Sequence, residues 1–431
     1  MRLPSTRTPA TASYAWLFDL LVRRTPAVTW AAAGELPAGF EVAEQFAVLA
    51  SGPGRSFMVS LAAKSGTYAA LTSYNALRSP RRRLARRVLA LGLRVGLGGL
   101  LAGHRIDIGT AVGATPAQLA DALLSEHLRA LFGGRQLVIA VGGGSGPYRK
   151  PVLQVFSTCG TPLGYVKVGW NDWTKEAVRR EASALRACSA AKMQLGVPVL
   201  LGHHSWHGLE LLLTAPLPAG VRRLKLSSRL PDAALVREIS RLSPGQAGEL
   251  AGSTWWIGVR ARIRSGITDA AARTVLEQAA DLIEAEHGRA QLKFGGWHGD
   301  LVPWNLARLG SRLYAWDWES STGDVPLGFD AVHFHFQVAF VRRQSPLGEA
   351  VAQAARKAGP ALAALGVTAE VRPLVTALHL LELFIRHEEA RSSSGDLDDR
   401  FYPAVAGVLQ GALALPSAAA AAATDSMGLA S

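Results

Sequence analysis

The chain is poor in the features that identify several classes of protein. Its 431 residues include only two cysteines, Cys159 and Cys188, which excludes a disulfide framework, and no Cys/His spacing is typical of a zinc site. The one early apolar run carries Asp19 and does not resemble a secretory signal. The apolar residues 88–103 contain Arg94 and fall short of the roughly 20 residues that a membrane-spanning helix needs. These absences predict a cytoplasmic protein.

Charged residues are also scarce, and the excess of positive charge lies mainly in the N-terminal third. The chain is 49% hydrophobic and 18% charged, which favours a large folded core over disorder. Residues 1–135 hold 16 Lys and Arg against 7 Asp and Glu, and five of the arginines fall within Arg81–Arg87. We interpret this cluster as a solvated basic helix and expect no nucleic-acid partner. The alternative is that it docks to an anionic surface such as a membrane.

Four segments differ in pattern and predict the domain organisation. Residues 1–135 form a basic N-terminal α/β module in which no group of residues indicates chemistry. Residues 136–215 contain several strands and one helix, residues 216–415 are mainly helical, and residues 416–431 form a flexible Ala-rich tail. The sequence does not decide the oligomeric state.

Local patterns predict the elements within these segments. The predictions are a β-hairpin of strands 56–62 and 67–74, a helix that opens at Thr115-Pro116 and runs to residue 132, strands at 136–141, 151–157 and 163–169, a flexible glycine turn at 142–146, a helix at 171–191, a long helix capped by Thr268, and further helices around 331–359, 369–391 and 401–413.

The most informative segment is GWHGDLVPWNLARL at 296–309, followed by RLYAWDWES at 312–320. It places Asp300 and Asn305 on one irregular loop and ends a short strand on Asp317, with Glu319 two residues later. Carboxylate and carboxamide oxygens are the hard ligands that magnesium prefers. A single aspartate in such a position is more often a helix or turn cap, but the group together favours a functional site.

These residues resemble the aminoglycoside phosphotransferase and choline kinase group, which is related to protein kinases. The pattern His-Gly-Asp, four residues, Asn is matched without a gap from His298 to Asn305, and WDWE at 316–319 is similar to the metal-binding segment of that group. PLGFD at 326–330 resembles the segment that follows it, with Asp330 as a structural anchor. The resemblance covers residues 136–415. It implies a bilobal protein-kinase-like fold of the α+β class, with a small antiparallel β-lobe, a larger helical lobe and the N-terminal α/β module as an extension.

The resemblance also implies roles for Lys167 and Glu181. Lys167 is the only charged residue of the strand LGYVKVG, and Glu181 lies in the helix segment VRREASALR. Kinase-type phosphoryl transfer needs a cation on the nucleotide phosphates and a glutamate that holds it. The alternative is that both side chains simply point to solvent. Because the catalytic loop matches the resembled group, we favour the functional interpretation.

The nucleotide contacts are less well defined by the sequence. Gly142, Gly143, Gly144, Ser145 and Gly146 lie between two strands, where backbone amides cover phosphates in such folds, although these glycines equally suit a simple turn. The resemblance places the adenine beside the segment that contains Thr214 and Ala215.

The predicted function is an ATP-dependent (or GTP-dependent) transfer of the γ-phosphate to a hydroxyl of a small molecule. Asp300, Lys167 and Glu181 are the predicted catalytic residues, and Asn305 and Asp317 the ligands of Mg²⁺. An aminoglycoside, an amino sugar, a sugar or an amino alcohol is the expected acceptor, because the gap from Asp317 to Asp330 is too short for a protein-kinase activation segment. Glu382, Glu388, Glu389 and residues 395–400 are candidates for an acidic acceptor face. The alternatives are a nucleotide-binding module without catalysis and a kinase that docks to an anionic surface through residues 1–135.

Overall fold

The computed structural model describes residues 9–50, 55–73, 80–95, 104–144, 150–224 and 230–394. The chain forms two compact units. The sheet unit comprises Met1–Leu185 and Pro198–Arg223, and the helical unit comprises Arg186–Val197 and Leu224–Ser431. The predicted α+β class, with an antiparallel sheet followed by a mainly helical part, is confirmed.

The sheet unit contains most of the strands. Its elements are α1 (Pro9–Leu21), β1 (Val28–Ala32), β2 (Phe40–Ala50), β3 (Arg55–Ser60), α2 (Lys64–Thr72), α3 (Pro80–Arg94), β4 (His104–Ala111), α4 (Pro116–Ala122), α5 (Leu124–Leu131), β5 (Leu137–Gly144), β6 (Val152–Ser157), β7 (Pro162–Gly169), α6 (Asp172–Ala190, whose last residues fall in the helical unit), β8 (Leu200–Trp206), β9 (Leu209–Thr214) and β10 (Arg222–Arg223).

Nine of these strands form one antiparallel sheet in the order β1-β4-β2-β3-β5-β6-β7-β9-β8. Successive residues of each strand point to opposite faces, so both faces of this sheet carry apolar residues. Met58, Ile139 and Val141 belong to the core that also contains α1 and α5, whereas Val59 and Val138 belong to the core that contains α2 and α3. The sheet is therefore covered by helices on both faces.

The boundary predicted at residue 135 does not mark a division of the fold. Met58 of β3 pairs with Val141 of β5, so the strands of residues 1–135 continue directly into those of residues 136–215. Backbone hydrogen bonds and two apolar cores run across the proposed boundary. The N-terminal residues are part of the sheet unit and not a separate module.

The hairpin predicted at 56–74 is wrong in its second half. β3 forms as expected, but residues 64–72 form α2. Gly66, Thr67, Ala70 and Leu71 are its buried residues, and their spacing is helical. A Cβ on Gly66 would overlap Val138, so this glycine allows α2 to lie directly on the sheet. The strand-like pattern of TYAALTSY is the apolar face of a short helix.

The long helix predicted after Thr115 is two shorter helices. Thr115 caps α4 in a capping box with Gln118, as the Thr-Pro signal indicates. Leu123 then adopts an extended conformation (φ −113°, ψ 119°) and separates α4 from α5. Leu123 and Leu124 are both buried. The extended residue between the two helices lets both of these neighbouring side chains reach the core.

The helical unit contains the rest of the described elements. They are α7 (Ala233–Ser240), β11 (Gly248–Glu249), α8 (Thr254–Gly266), α9 (Ala270–His287), β12 (Gln291–Leu292), β13 (Phe294–Trp297), β14 (Leu306–Leu309), β15 (Arg312–Ala315), β16 (Thr322–Pro326), α10 (Phe329–Gln337), α11 (Leu347–Ala364) and α12 (Arg372–Ser394), with short 3₁₀ turns at Pro303–Asn305 and Trp318–Ser320 and a π-helical turn at Val338–Arg342.

Two helix boundaries differ from the predictions. Asp269, not Thr268, caps α9, and its Oδ1 accepts a hydrogen bond of 2.9 Å from the amide of Ala272. The helix predicted over 331–359 is interrupted after the π-helical turn that follows α10, and α11 begins only after Pro346. The helix predicted at 401–413 and the Ala-rich tail lie outside the described residues.

Within the part of the chain that the structure describes, no helix combines the length and the apolar character needed to cross a membrane.

Candidate active site

The loop that follows β13 is held by a buried carboxylate. Asp330, at the start of α10, accepts hydrogen bonds from the amides of His298 (2.8 Å) and Gly299 (3.2 Å). Gly299 has a φ of 79°, and a Cβ there would overlap the carbonyl oxygen of Ser320. Burial raises the pKa of Asp330 to about 6. The glycine turn and Asp330 together fix the direction in which the next residue, Asp300, leaves the strand.

Asp300 and Asn305 lie side by side on this loop. The amide Nδ2 of Asn305 donates to the carboxylate Oδ2 of Asp300 at 2.8 Å and to its backbone carbonyl at 3.1 Å. Asn305 is buried, whereas the Asp300 side chain is 36% exposed. Asn305 therefore orients a carboxylate that solvent or a substrate can reach.

His298 belongs to the support of the loop. Complete burial lowers its pKa to about 4, so the ring is neutral near pH 7. Its Nδ1 accepts a hydrogen bond of 3.2 Å from the amide of Asp300, and its ring packs on Trp318 with centroids 4.4 Å apart.

The hairpin of β14 and β15 brings Asp317 to the end of the loop. β14 begins directly after Asn305, and its first residue, Leu306, pairs with Ala315 of β15. The amide of Trp316 donates to the carbonyl of Asn305 at 3.2 Å. Asp317 follows with a left-handed backbone (φ 74°), which turns the chain into the next 3₁₀ turn. Asn305 is thus hydrogen-bonded to the residue that immediately precedes Asp317 in the sequence.

The oxygen-bearing side chains at this end of the hairpin suit a divalent cation. A carboxylate oxygen of Glu319 lies within 4.8 Å of one of Asp317. With its Nδ2 occupied by Asp300, Asn305 has a carboxamide oxygen as its remaining polar atom. Carboxylate and carboxamide oxygens are hard ligands of the type that Mg²⁺ selects. The residues present therefore fit the predicted metal.

Two histidines behind Asp300 were not recognised in the sequence. His333 Nε2 lies 3.2 Å from Asp300 Oδ1, and His333 Nδ1 lies 3.2 Å from His379 Nε2. Both rings are buried, and burial holds the pKa of His379 well below its usual range. With Asn305 on Oδ2 and His333 on Oδ1, both carboxylate oxygens of Asp300 have a defined partner. The two histidines lie on α10 and α12, more than 30 residues after Asp300, so no local pattern could have revealed them.

Arg386 on α12 is a further residue that the sequence did not indicate. Its guanidinium lies 4.3 Å above the ring of Trp297 and donates to the carbonyls of Gly299 (3.4 Å) and Ser320 (3.2 Å). It also donates from Nε to Glu382 at 2.8 Å. Arg386 therefore ties the glycine turn to the segment after Asp317.

The residues suggested as an acidic acceptor face do not form one. Glu382 is buried and is shared by Arg386 and Arg262. Glu388 is also buried and pairs with Arg391 at 2.8 Å, while Glu389 pairs with Arg262. These three carboxylates form ion pairs with arginines of the helical unit. Residues 395–400 lie outside the described residues.

In the sheet unit, Lys167 and Glu181 form a buried ion pair. Lys167 Nζ lies 2.5 Å from Glu181 Oε2, and the two side chains are 18% and 2% exposed. Val166 and Val168 point into the core on one face of β7, so Lys167 points to the other face. Glu181 lies on the buried side of α6 between Val178 and Leu185. The pairing predicted for these two residues is present.

The glycine segment differs from the predicted turn. Gly142, Gly143 and Gly144 continue β5 and pair with Phe57, Ser56 and Arg55 of β3. The strand therefore extends further than expected, because β3 offers hydrogen-bond partners to the extended glycines. Ser145 and Gly146 lie outside the described residues.

The predicted adenine-binding segment ends β9. Thr214 pairs with Tyr165 of β7, and the amide of Ala215 donates to the carbonyl of Val199 at 2.8 Å. The amide of Ala215 is thus engaged within the sheet unit. The role assigned to Thr214 and Ala215 stays a prediction.

Comparison with known proteins gives matches among solved structures. Choline kinase LicA from Streptococcus pneumoniae is 15% identical, with 62% of this chain and 89% of the other covered at a TM-score of 0.40. A thermostable mutant of aminoglycoside phosphotransferase APH(4)-Ia, in a ternary complex with AMP-PNP and hygromycin B, is 13% identical, with 67% and 97% covered at 0.46. Amicoumacin kinase hAmiN, in complex with AMP-PNP, Ca²⁺ and amicoumacin, is 11% identical, with 63% and 87% covered at 0.41.

The first two of these proteins carry the names choline kinase and aminoglycoside phosphotransferase. No protein-family model and no curated protein sequence matches the chain.

Proposed function

We propose that the chain is a phosphotransferase that moves the γ-phosphate of ATP to a hydroxyl of a small molecule. The observation that carries the proposal is the pair Asp300 and Asn305, joined at 2.8 Å on one loop, with Trp316, the residue before Asp317, hydrogen-bonded to Asn305. Hydroxyl activation and metal ligation need these residue types next to one another.

In the proposed reaction, the exposed carboxylate of Asp300 orients the acceptor hydroxyl and accepts its proton. The hydroxyl oxygen forms a bond to the γ-phosphorus, the bond from that phosphorus to the β,γ-bridging oxygen breaks, and ADP leaves. Asn305 and His333 hold the two carboxylate oxygens of Asp300 during this step. Preorganisation of this kind is the main means by which such transfers are accelerated.

Asn305 and Asp317 are the proposed ligands of magnesium, with Glu319 close by. When bound, the metal neutralises phosphate charge. In the sheet unit, Lys167 is the proposed cation for the α- and β-phosphates, and Glu181 limits where its ammonium can lie. Gly142–Gly146, Thr214 and Ala215 remain the proposed nucleotide contacts, and GTP is the alternative donor.

The acceptor is proposed at the level of its class: an aminoglycoside, an amino sugar, a sugar or an amino alcohol. Because Glu382 and Glu388 are buried and paired with arginines, they do not support a surface for a polycation. Hydroxylated metabolites with little positive charge are therefore included on equal terms. The proposal keeps the expectation of a cytoplasmic enzyme.

The test is magnesium-dependent nucleotide consumption with fractions of a metabolite extract and a panel of aminoglycosides. Mass spectrometry then identifies an acceptor that has gained a phosphate. Asp300→Asn is the blank, and Asp281→Asn, an exposed residue of α9, is the matched control that should behave like wild type. We expect Asp300→Asn to lower kcat at least about a hundredfold.

Two outcomes would contradict the proposal. Nucleotide binding without a phosphorylated product in any fraction would favour a binding module without catalysis. An Asp300→Asn enzyme with a wild-type rate would exclude Asp300 from the proposed role.

A further inference from the structure

One face of helix α3 packs against the rest of the sheet unit, and the opposite face is exposed to solvent. On the inner face, Ala90 is buried in the core that contains α2, and Arg86 donates to the carbonyls of Leu71 (2.5 Å) and Ala70 (3.2 Å). Arg86 also lies 4.9 Å above the ring of Phe57. These contacts fix the rotation of the helix about its axis.

The outer face is an aliphatic stripe. Leu84, Val88, Leu91 and Val95 are 65%, 61%, 56% and 63% exposed. Their spacing of four, three and four residues places them on one line along the helix. Val95 continues this line because its amide still donates to the carbonyl of Leu91 at 3.0 Å. Single exposed aliphatic residues are ordinary, but four in a row on one helix mark an interaction surface.

Positive charge flanks the stripe on both sides. At 100° per residue, Arg81 lies about 60° to one side of Leu84, and Arg87 lies about 60° to the other. Both are exposed. No Asp or Glu occurs between Glu44 and Asp107, a stretch that contains 10 Lys and Arg. The region around α3 therefore has no acidic residue in its own sequence to neutralise the arginines.

We propose that α3 is an interfacial helix that binds the surface of an anionic lipid bilayer. The aliphatic stripe enters the boundary between headgroups and acyl chains, and Arg81 and Arg87 contact lipid phosphates beside it. An apolar stripe between cations is complementary to a lipid surface, where acyl chains lie beneath a layer of phosphates. Nucleic acid offers phosphates but gains nothing from exposed leucine and valine. The inference is independent of the proposed phosphotransferase activity.

The test is flotation of the full chain with vesicles at low salt. One vesicle set is phosphatidylcholine mixed with phosphatidylglycerol, and the other is phosphatidylcholine alone. We expect binding to the anionic set and little to the neutral one, with a loss of binding as salt is raised.

Two pairs of variants separate the contributions of the stripe and the arginines. Val88→Asp with Leu91→Asp should lower partitioning to anionic vesicles at least about tenfold, whereas Val112→Asp, an equally exposed valine of the sheet unit, should not. Arg81→Ser with Arg87→Ser should also lower it about tenfold, and Arg129→Ser with Arg135→Ser is the charge-matched control. Because all of these side chains are exposed, thermal unfolding should be unchanged.

Three results would overturn the inference. The first is a wild-type chain that does not float with anionic vesicles at low salt. The second is a stripe variant that floats like wild type. The third is displacement from vesicles by duplex DNA together with DNA binding that the stripe variant retains, which would identify a nucleic-acid surface instead.

Discussion

Lys167 and Glu181 are a charged pair in the interior of the sheet unit, and each depends on the other. Removing one partner of a largely buried pair weakens the compensation of the charge that remains. We expect Glu181→Gln to weaken binding of an ATP analogue about tenfold and to destabilise the sheet unit by about 2 kcal/mol. Calorimetric titration and urea unfolding measure the two effects. Glu176→Gln, an exposed site on the same helix, is the control, and equal behaviour of both variants would refute the role of the pair.

The proposed role of His333 is to orient the carboxylate of Asp300. If its Nε2 orients Asp300, His333→Ala should lower kcat about tenfold to a hundredfold with little change in KM. His333→Gln can place an amide nitrogen near the position of Nε2 and should recover part of that loss. Steady-state kinetics on both variants, with melting curves to control for folding, test the idea. Equal losses in the two variants would mean that the ring only fills space.

At the scale of single elements, the glycine turn after β13 is the most constrained. Gly299→Ala would force a Cβ into the carbonyl of Ser320, so we expect the helical unit to lose about 2 kcal/mol or more and activity to fall. Gly310 is the matched control, because its φ is also positive (59°) but a Cβ there meets nothing within 4 Å. Gly310→Ala should cost about 1 kcal/mol. Denaturant unfolding of both variants separates the cost of the steric clash from the cost of placing alanine at a positive φ. If both variants lose the same free energy of unfolding, the clash does not contribute.

The elements show which parts of the structure the sequence can predict. The loop from His298 to Asn305 and the short strand before Asp317 are local patterns, and the structure contains both, although the strand ends at Ala315, two residues earlier than predicted. Residues 67–74 resemble a strand in the sequence, and only the close contact of Gly66 with Val138 of the sheet shows that a helix lies there. The partners of Asp300 on α10 and α12 come from packing between distant segments. Such contacts leave no local signal in a single sequence.

At the scale of the whole molecule, buried histidines couple stability to pH. Burial lowers the pKa of His298 and of His335 to about 4, and that of His379 well below 6.5. Below about pH 6.5 the unfolded chain therefore binds protons that the folded chain does not, and stability falls as the pH falls toward 4. Asp330 acts in the opposite direction, because its pKa is raised to about 6 and the folded state binds that proton first.

The histidines outweigh the aspartate in number. We expect the free energy of unfolding of the helical unit to be about 2 kcal/mol lower at pH 5 than at pH 7. Urea unfolding followed by tryptophan fluorescence measures the difference. His335→Gln should reduce it, and His287→Gln, on the surface of α9, should not. A free energy of unfolding that rises on acidification would show that Asp330 dominates.

The division of the chain was the least predictable property at this scale. Composition separates residues 1–135 from the rest, but pairing of β3 with β5 is a contact between strands about 80 residues apart and has no compositional signature. The helical unit was easier to delimit because its helices follow one another along the chain, although the cap of α9 is Asp269 and not the predicted Thr268.

The pairing of β3 with β5 also has a consequence for shortened forms of the protein. A chain cut before residue 136 would turn one side of β5 into an edge, because the partners of Ala140–Gly144 on β3 would be gone. Exposed apolar edges of this kind recruit strands from other molecules. The first 135 residues thus protect the chain from aggregation by covering the edge of β5. A truncated protein that keeps only the motif-bearing part should form insoluble assemblies, even though every proposed active-site residue is retained.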